Sequence, residues 1–308
     1  MIIREVSIPA PRLGWVLIQV KAFGLNRSEL HLRQGVASNA SFPRVPGIEA
    51  VGIVVAAPAG EFALGTKVAT MMGGMGREFD GGYAEFVSAP AGQVIPFESS
   101  LDWATLGAVP EMLQTAYGSL SVGLDLTAGQ WLLIRGGTSS VGMAATALAK
   151  QRGAAVIATT RNPAKDRALR ENGADYALID NGAVAAEVRL IKPEGVDGAI
   201  ELVGTNTLAD TLRATRVKGV VCFTGMLSDI WTIRDFYPMN YIPNGVRLTA
   251  YSGQAADLPK DVLQEYLDSV AAGAIRVPIA HVYGFDEIVD AHRTMEASTE
   301  VGKLVVRL

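Results

Sequence analysis

A run of small residues between an apolar segment and an Ala-rich one carries the first chemical signal of this chain. Trp131-Leu-Leu-Ile134 leads into Arg135-Gly-Gly-Thr-Ser-Ser-Val-Gly142, and Met143-Ala-Ala-Thr-Ala-Leu-Ala-Lys150 follows. A strand that turns on small residues into a helix lets the backbone approach a pyrophosphate and aims unpaired helical N–H groups at it. Gly137, Ser139, Ser140 and Val141 are the candidate contacts. The pattern reads G-x-S-x-x-G, with Ser139 where a dinucleotide fingerprint has its second glycine. A second signal follows the next predicted strand, where a NAD-binding chain places an acid for the ribose 2′-hydroxyl. This chain has Thr160-Arg161-Asn162-Pro163-Ala164-Lys165 there. No acid repels a 2′-phosphate, while Thr160, Arg161 and Lys165 offer a hydroxyl, a planar fork and a point charge to hold one. Taken singly, either basic residue reads as a solvated charge opening a helix. Together, with the acid missing, they point to NADPH.

The elements that must position these residues follow from hydrophobic patterning. Strand and helix signals alternate between residues 109 and 249, as in βαβ units on a parallel sheet. Strands are predicted at 131–134, 155–160, 176–179, 198–202, 220–224 and 247–249, with helices at 141–152, 164–172 and 207–215. Residues 1–108 instead show short β runs at 15–21, 50–55 and 83–87, punctuated by Gly and Pro, which predicts a compact β-rich domain. The last 60 or so residues, 250–308, hold amphipathic helices at 259–272 and 285–296 and a closing strand at 303–308.

Bulk properties exclude several function classes. A chain of 308 residues suits roughly two domains. Net charge is −4 with no long run of one sign, so nucleic acid is not the expected partner. Cys222 is the only cysteine, which rules out an intrachain disulfide and fits a reducing, cytoplasmic setting. Its apolar neighbours make it a small core residue. No apolar run is long enough to span a bilayer, and Arg4 and Glu5 interrupt any leader-like start.

Three stretches together resemble the medium-chain dehydrogenase/reductase superfamily, and within it the zinc-independent, NADPH-dependent quinone oxidoreductases. They are Val20-Lys-Ala-Phe-Gly-Leu-Asn-Arg-Ser-Glu-Leu-His31, Pro43-Arg-Val-Pro-Gly-Ile-Glu-Ala-Val-Gly52 and the Gly136–Gly142 turn. The resemblance runs through nearly the whole chain. It implies an α/β protein, with a doubly wound Rossmann domain at 109–249 and a β-rich GroES-like catalytic domain built from 1–108 and 250–308. The active site would be the cleft between them. Family members usually begin with a strand and turn upstream of the stretch starting at Ile2, so this chain enters the pattern late.

Site residues carry over one at a time. Zinc-dependent relatives have a Cys where this chain has Asn26 and a His where it has Ile48, plus a four-cysteine lobe that one cysteine cannot supply. The remaining donors, His31, His281, His292 and Cys222, show no ligand spacing, so no metal is expected. Asn26 would donate to an acceptor carbonyl or to the cofactor, or act as a turn residue after Gly24. Glu49 would support the catalytic floor, with a structural role equally open. Thr115 matches a threonine near the nicotinamide carboxamide, Gly225 and Met226 a stretch passing the nicotinamide, and Tyr176 a tyrosine closing over the 2′-phosphate. Ser252 and Lys303 are further cofactor candidates. His31 stands where several quinone reductases carry tyrosine; it would protonate a reduced oxygen or simply pack. His281 and His292 read as structural, and Tyr83, Trp231 and Tyr241 as lining the cleft mouth or packing.

The function these residues imply is hydride transfer from NADPH to a quinone or another conjugated carbonyl. Such acceptors are electrophilic enough that positioning and a hydrogen bond suffice without metal. An enoyl-thioester reductase and an alkenal reductase share every motif, and a catalytically idle, crystallin-like NADPH-binding protein remains a third reading. The strand near 247–250 would lie at a sheet edge, and relatives cover that edge with a second subunit, so a homodimer is expected.

Overall fold

The computed structural model describes residues 1–36, 41–298 and 300–308. In chain order the first part forms β1 (Trp15–Gly24), α1 (Arg27–Arg33), β2 (Glu49–Ala56), β3 (Lys67–Met71), β4 (Phe86–Pro90), β5 (Val94–Pro96), α2 (Trp103–Ala108) and α3 (Pro110–Gly118). The middle forms β6 (Trp131–Arg135), α4 (Ser140–Gln151), β7 (Ala155–Thr160), α5 (Asp166–Glu171), β8 (Tyr176–Ile179), α6 (Ala185–Ile191), β9 (Val196–Glu201), α7 (Thr205–Ala214), β10 (Thr215–Phe223), α8 (Pro238–Tyr241) and β11 (Arg247–Ala250). The last part forms α9 (Lys260–Ala271), β12 (Ile279–Gly284), α10 (Ile288–Ala297) and β13 (Lys303–Arg307). Two compact units result: Met1–Gln114 with Gly253–Leu308, and Thr115–Ser252.

The first unit is built on a seven-stranded sheet, in which the order β12-β13-β1-β2-β3-β5 is joined by β4 pairing to β1. Most of the residues of β1 are buried, and it pairs antiparallel with β2, β4 and β13 at different points along its length. Its apolar side chains, among them Val16, Ile18, Val20 and Phe23, form the core with Val54, Val68, Val87 and Val306. The predicted strand at 83–87 starts later, at Phe86. Residues Gly81, Gly82 and Tyr83 instead give their N–H groups to Val45, Gly47 and Pro46, so their backbone is spent on a turn and not on a ladder.

The second unit is a six-stranded sheet of order β11-β10-β9-β6-β7-β8, every pairing of it parallel. Leu132, Leu133 and Ile134 are fully buried, as expected of a parallel strand covered on both faces. β10 begins five residues earlier than the predicted 220–224 and contains a register shift between Thr215 and Val220, where Lys218 takes a positive φ of 67°. Among the described residues no helix is long and apolar enough to cross a membrane.

Candidate cofactor and active site

In the Thr115–Ser252 unit, the candidate ligand-facing groups cluster at the carboxyl ends of the parallel strands, where open α/β sheets bind ligands. Gly136 has φ +86° and gives its N–H to Thr159 Oγ1 at 3.2 Å, while Gly137 N–H reaches Thr159 O at 2.9 Å. A Cβ on Gly142 would sit 2.6 Å from Gly136 O, so only glycine lets α4 start this close to the turn. Ser139 is the N-cap of α4: its Oγ accepts Gly142 N–H at 3.1 Å and donates to Gly136 O at 2.8 Å. Ser140 and Val141 open the helix, where first-turn N–H groups lack an intrahelical acceptor. This cradle of glycine backbone and helix N-terminus fits a dinucleotide pyrophosphate.

Thr160 ends β7 and is buried, and its Oγ1 accepts Asn162 N–H at 3.3 Å. Arg161 is exposed and Lys165 half-buried on the loop that follows. Tyr176 requires a correction. It opens β8 opposite Ile157, with its ring 5.9 Å from that of Trp131, whereas Thr160 pairs with Ile179. Three residues of strand, about 10 Å, put Tyr176 at the amino ends of the strands, away from any 2′-phosphate site. The residue at the carboxyl end of β8 is Asp180, whose N–H donates to Thr160 O at 2.8 Å.

At the carboxyl ends of β9 and β10, Thr224, Gly225, Leu227 and Ser228 give their N–H groups to Glu201, Leu202 and Val203. A Cβ on Gly225 would meet Leu202 O at 2.9 Å, and Met226 beside it is half-buried. Ser119 Oγ donates to Thr115 O at 2.7 Å and lies 3.0 Å from Thr224 Oγ1, which brings Thr115 of α3 to the same end of the sheet. Ser252 is exposed just beyond β11. Cys222 is fully buried, and burial pushes its thiol up, which suits a core residue.

The other unit holds a buried ionic cluster around Asn26. Lys303 is 1% exposed, and its three donors meet Asn26 Oδ1 at 2.5 Å, Glu49 Oε1 at 2.7 Å and Glu111 Oε2 at 3.3 Å. Lys303 is thereby corrected from a cofactor contact to an internal cation. Asn26 Nδ2 donates to Glu49 Oε1 at 2.9 Å and, more weakly, to Glu29 Oε1 at 3.4 Å. The bond to Glu49 commits one amide hydrogen of Asn26 to the cluster. Glu29 also accepts N–H groups of Asn26 and Ile48, and burial pushes its carboxyl up to about 7. Burial alone would pull the Lys303 ammonium down, but Glu49, Glu111 and Glu29 outweigh it and hold it above the usual range. His31 is buried in α1 at 7% exposure. Tyr83 stacks on Phe23 at 4.5 Å and meets His292 Nε2 at 3.1 Å, so it packs. Tyr241 reaches Thr205 O at 3.3 Å, while Trp231 is 42% exposed and His281 packs on Tyr283.

A zinc ion does not fit this set. The two positions at issue carry an amide and an aliphatic side chain, an ammonium stands among the carboxylates, and no group of three metal-type donors occurs among the described residues.

Residues 12–99 match the family described as alcohol dehydrogenase GroES-like domain, and residues 172–306 that described as zinc-binding dehydrogenase. The human protein named quinone oxidoreductase is 25% identical over 314 residues, covering 99% of this chain and 92% of its own length. A probable quinone oxidoreductase of Schizosaccharomyces pombe is 26% identical over 322 residues, with 99% and 92% covered. The crystal structure of AibC superposes with a TM-score of 0.86 at 29% identity, covering 97% of this chain and 89% of that one.

Proposed function

Given that the chain belongs to the medium-chain dehydrogenase/reductase superfamily, among its quinone oxidoreductases, we propose that it is an NADPH-dependent, zinc-independent reductase of quinones or other conjugated carbonyls. That it is a nicotinamide-dependent oxidoreductase follows from the family. The finer reading is carried by one observation: a glycine cradle at the N-terminus of α4 is followed by Thr160 at the end of β7 and by Arg161 and Lys165 just beyond it, with no intervening acid. The cofactor, when bound, supplies the hydride.

Gly137 and the opening N–H groups of Ser140 and Val141 hold the pyrophosphate, with Ser139 fixing the turn by capping. Arg161 and Lys165 neutralise the 2′-phosphate, and Thr160 shapes their loop. Thr115, Gly225, Met226 and Ser252 flank the nicotinamide end. Asn26, Glu49 and Lys303 form a buried charged cluster within their own unit. The proton for the reduced oxygen comes from His31 or from water. The reading also includes a cytoplasmic homodimer.

NADPH absorbance followed on adding an aromatic ortho-quinone tests it. Consumption that depends on the quinone supports the proposal, and cofactor binding without consumption would make the chain an idle NADPH binder. A panel of quinones, enones and enoyl thioesters then ranks the acceptors; a clear preference for enoyl thioesters would overturn the quinone reading.

A further inference from the structure

Arg135 ends β6 directly before the glycine turn and is fully buried. Its guanidinium forms a fork on Asp180, with Nε 2.8 Å from Oδ2 and Nη2 2.8 Å from Oδ1. Nη1 takes Asp210 Oδ2 at 2.6 Å, Thr211 Oγ1 at 3.2 Å and Thr207 O at 3.3 Å, all from α7. In the sheet, β7 lies between β6 and β8. The Asp180 side chain therefore reaches across the end of β7 to meet Arg135. Thr159 of β7 completes the link: its Oγ1 donates to Asp180 Oδ2 at 3.3 Å and accepts Gly136 N–H at 3.2 Å. Burial would push the Asp180 carboxyl up, but the bond and charge of Arg135 outweigh it and hold it below the usual range. Asp180 is thus an anion whose charge is matched inward.

The place of this acid matters. Asp180 follows β8 by one residue and is tied through its N–H to Thr160 O, at the root of the loop that carries Arg161 and Lys165. An acid near this loop is what a NAD-binding chain uses to disfavour a 2′-phosphate. A carboxylate turned toward solvent here would repel that phosphate over a few ångströms. Asp180 is only 7% exposed: Arg135 supplies the charged fork that holds it, while Gly182 N–H donates to Oδ1 at 2.9 Å and Thr159 Oγ1 to Oδ2. Arginine suits the task, since a lysine in its place would be a point charge unable to fork onto both carboxylate oxygens while also reaching Asp210. Asp210 accepts Val184 N–H as well, so Arg135 keeps an anchored partner if Asp180 is altered.

We propose that Arg135 is a positioning residue for cofactor selectivity, clamping Asp180 inward across β7 and so keeping an acid out of the 2′-phosphate site of Thr160, Arg161 and Lys165. The proposal rests on the NADPH reading above. Dissociation constants for NADPH and NADH, measured by fluorescence titration on variants whose folding is verified by thermal melting, test it. Arg135→Gln should lower the NADPH:NADH preference about tenfold, chiefly by weakening NADPH. Asp180→Asn should leave the preference intact or raise it, and Arg135→Gln/Asp180→Asn should restore it. Loss of a purely structural residue would weaken both cofactors alike, and Asp180→Asn would not rescue the ratio; that result overturns the proposal. If Arg135→Gln does not fold, Arg135→Lys, which keeps the charge and loses the fork, must shift the ratio in the same direction and be rescued by Asp180→Asn. A wild-type chain that binds both cofactors alike removes the NADPH reading and this proposal with it. A wild-type preference that survives both Arg135 variants removes this proposal alone.

Discussion

Lys303 Nζ lies 2.7 Å from Glu49 Oε1, and neither side chain is reached by solvent. The contact ties the closing strand β13 to the start of β2. A buried charge without its partner costs far more than the pair contributes. Lys303→Met should therefore destabilise the fold by about 3–5 kcal/mol, read as a lowered midpoint in urea unfolding. Adding Glu49→Gln to Lys303→Met should recover part of the loss. A Lys303→Met protein as stable as wild type would mean that the cluster is not held by this ion pair.

Stability should depend on pH through two buried groups of opposite effect. Burial pushes the Glu29 carboxyl from the ordinary 4.5 up to about 7. Between those values the folded chain holds a proton that the unfolded chain has released, so this group costs stability as pH rises. Burial pulls His292 from 6.5 down to about 4, so this group costs stability as pH falls through that window. The two slopes oppose each other where the windows overlap. Glu29→Gln should unmask the histidine slope, gaining up to about 2 kcal/mol relative to wild type between pH 5 and 6.5. Unfolding curves that run parallel for the two proteins across that range would refute the assignment.

Cofactor preference follows from the loop after β7. NADPH should bind at least about tenfold tighter than NADH, a difference of ~1.4 kcal/mol. Arg161→Ala should remove most of that preference by weakening NADPH while leaving NADH nearly unchanged. Equal weakening of both cofactors would contradict a 2′-phosphate role.

Turnover should survive a strong chelator. Dialysis against it should leave quinone-dependent NADPH oxidation unchanged, and elemental analysis should find no stoichiometric zinc. A zinc ion whose removal abolishes activity would sink the zinc-free proposal.

Assembly is expected at β11, which pairs with β10 on one side and ends the sheet on the other. Such an edge offers unpaired N–H and C=O groups to a second copy. Sedimentation should find a species of twice 32.5 kDa, and Leu248→Pro should shift it toward monomer. A monomer at every concentration would overturn this.

Much of the parallel sheet is legible in the sequence because its apolar runs are separated by turn residues, and each strand is close in sequence to the helix that follows it. The Gly136–Gly142 turn is legible for the same reason, since the groups that shape it are adjacent in the chain. The strands β3, β5 and β12 are not foreseen, since 67–71, 94–96 and 279–284 are short and lack clean alternation. The ionic cluster is invisible because Asn26 and Lys303 are 277 positions apart. Tyr176 is misassigned because which end of a strand faces a ligand depends on register, and the pairing of Ile157 with Tyr176 cannot be read from composition. Arg135 and Asp180 escape notice because a charged residue ending an apolar run resembles a surface residue until the fold buries it.

The interrupted unit has a consequence for synthesis on the ribosome. Thr115–Ser252 is contiguous and has all its strands once Ser252 has emerged. The unit that contains β1 is complete only when β13 arrives, because Ala22, Phe23 and Gly24 pair with Arg307, Val306 and Val305. Until then the nascent chain carries Glu29, Glu49 and Glu111 without the ammonium of Lys303, beside the unpaired end of β1. The first strand made is thus among the last to be satisfied, and a nascent chain stalled shortly before residue 303 would be a ready substrate for chaperones and proteases.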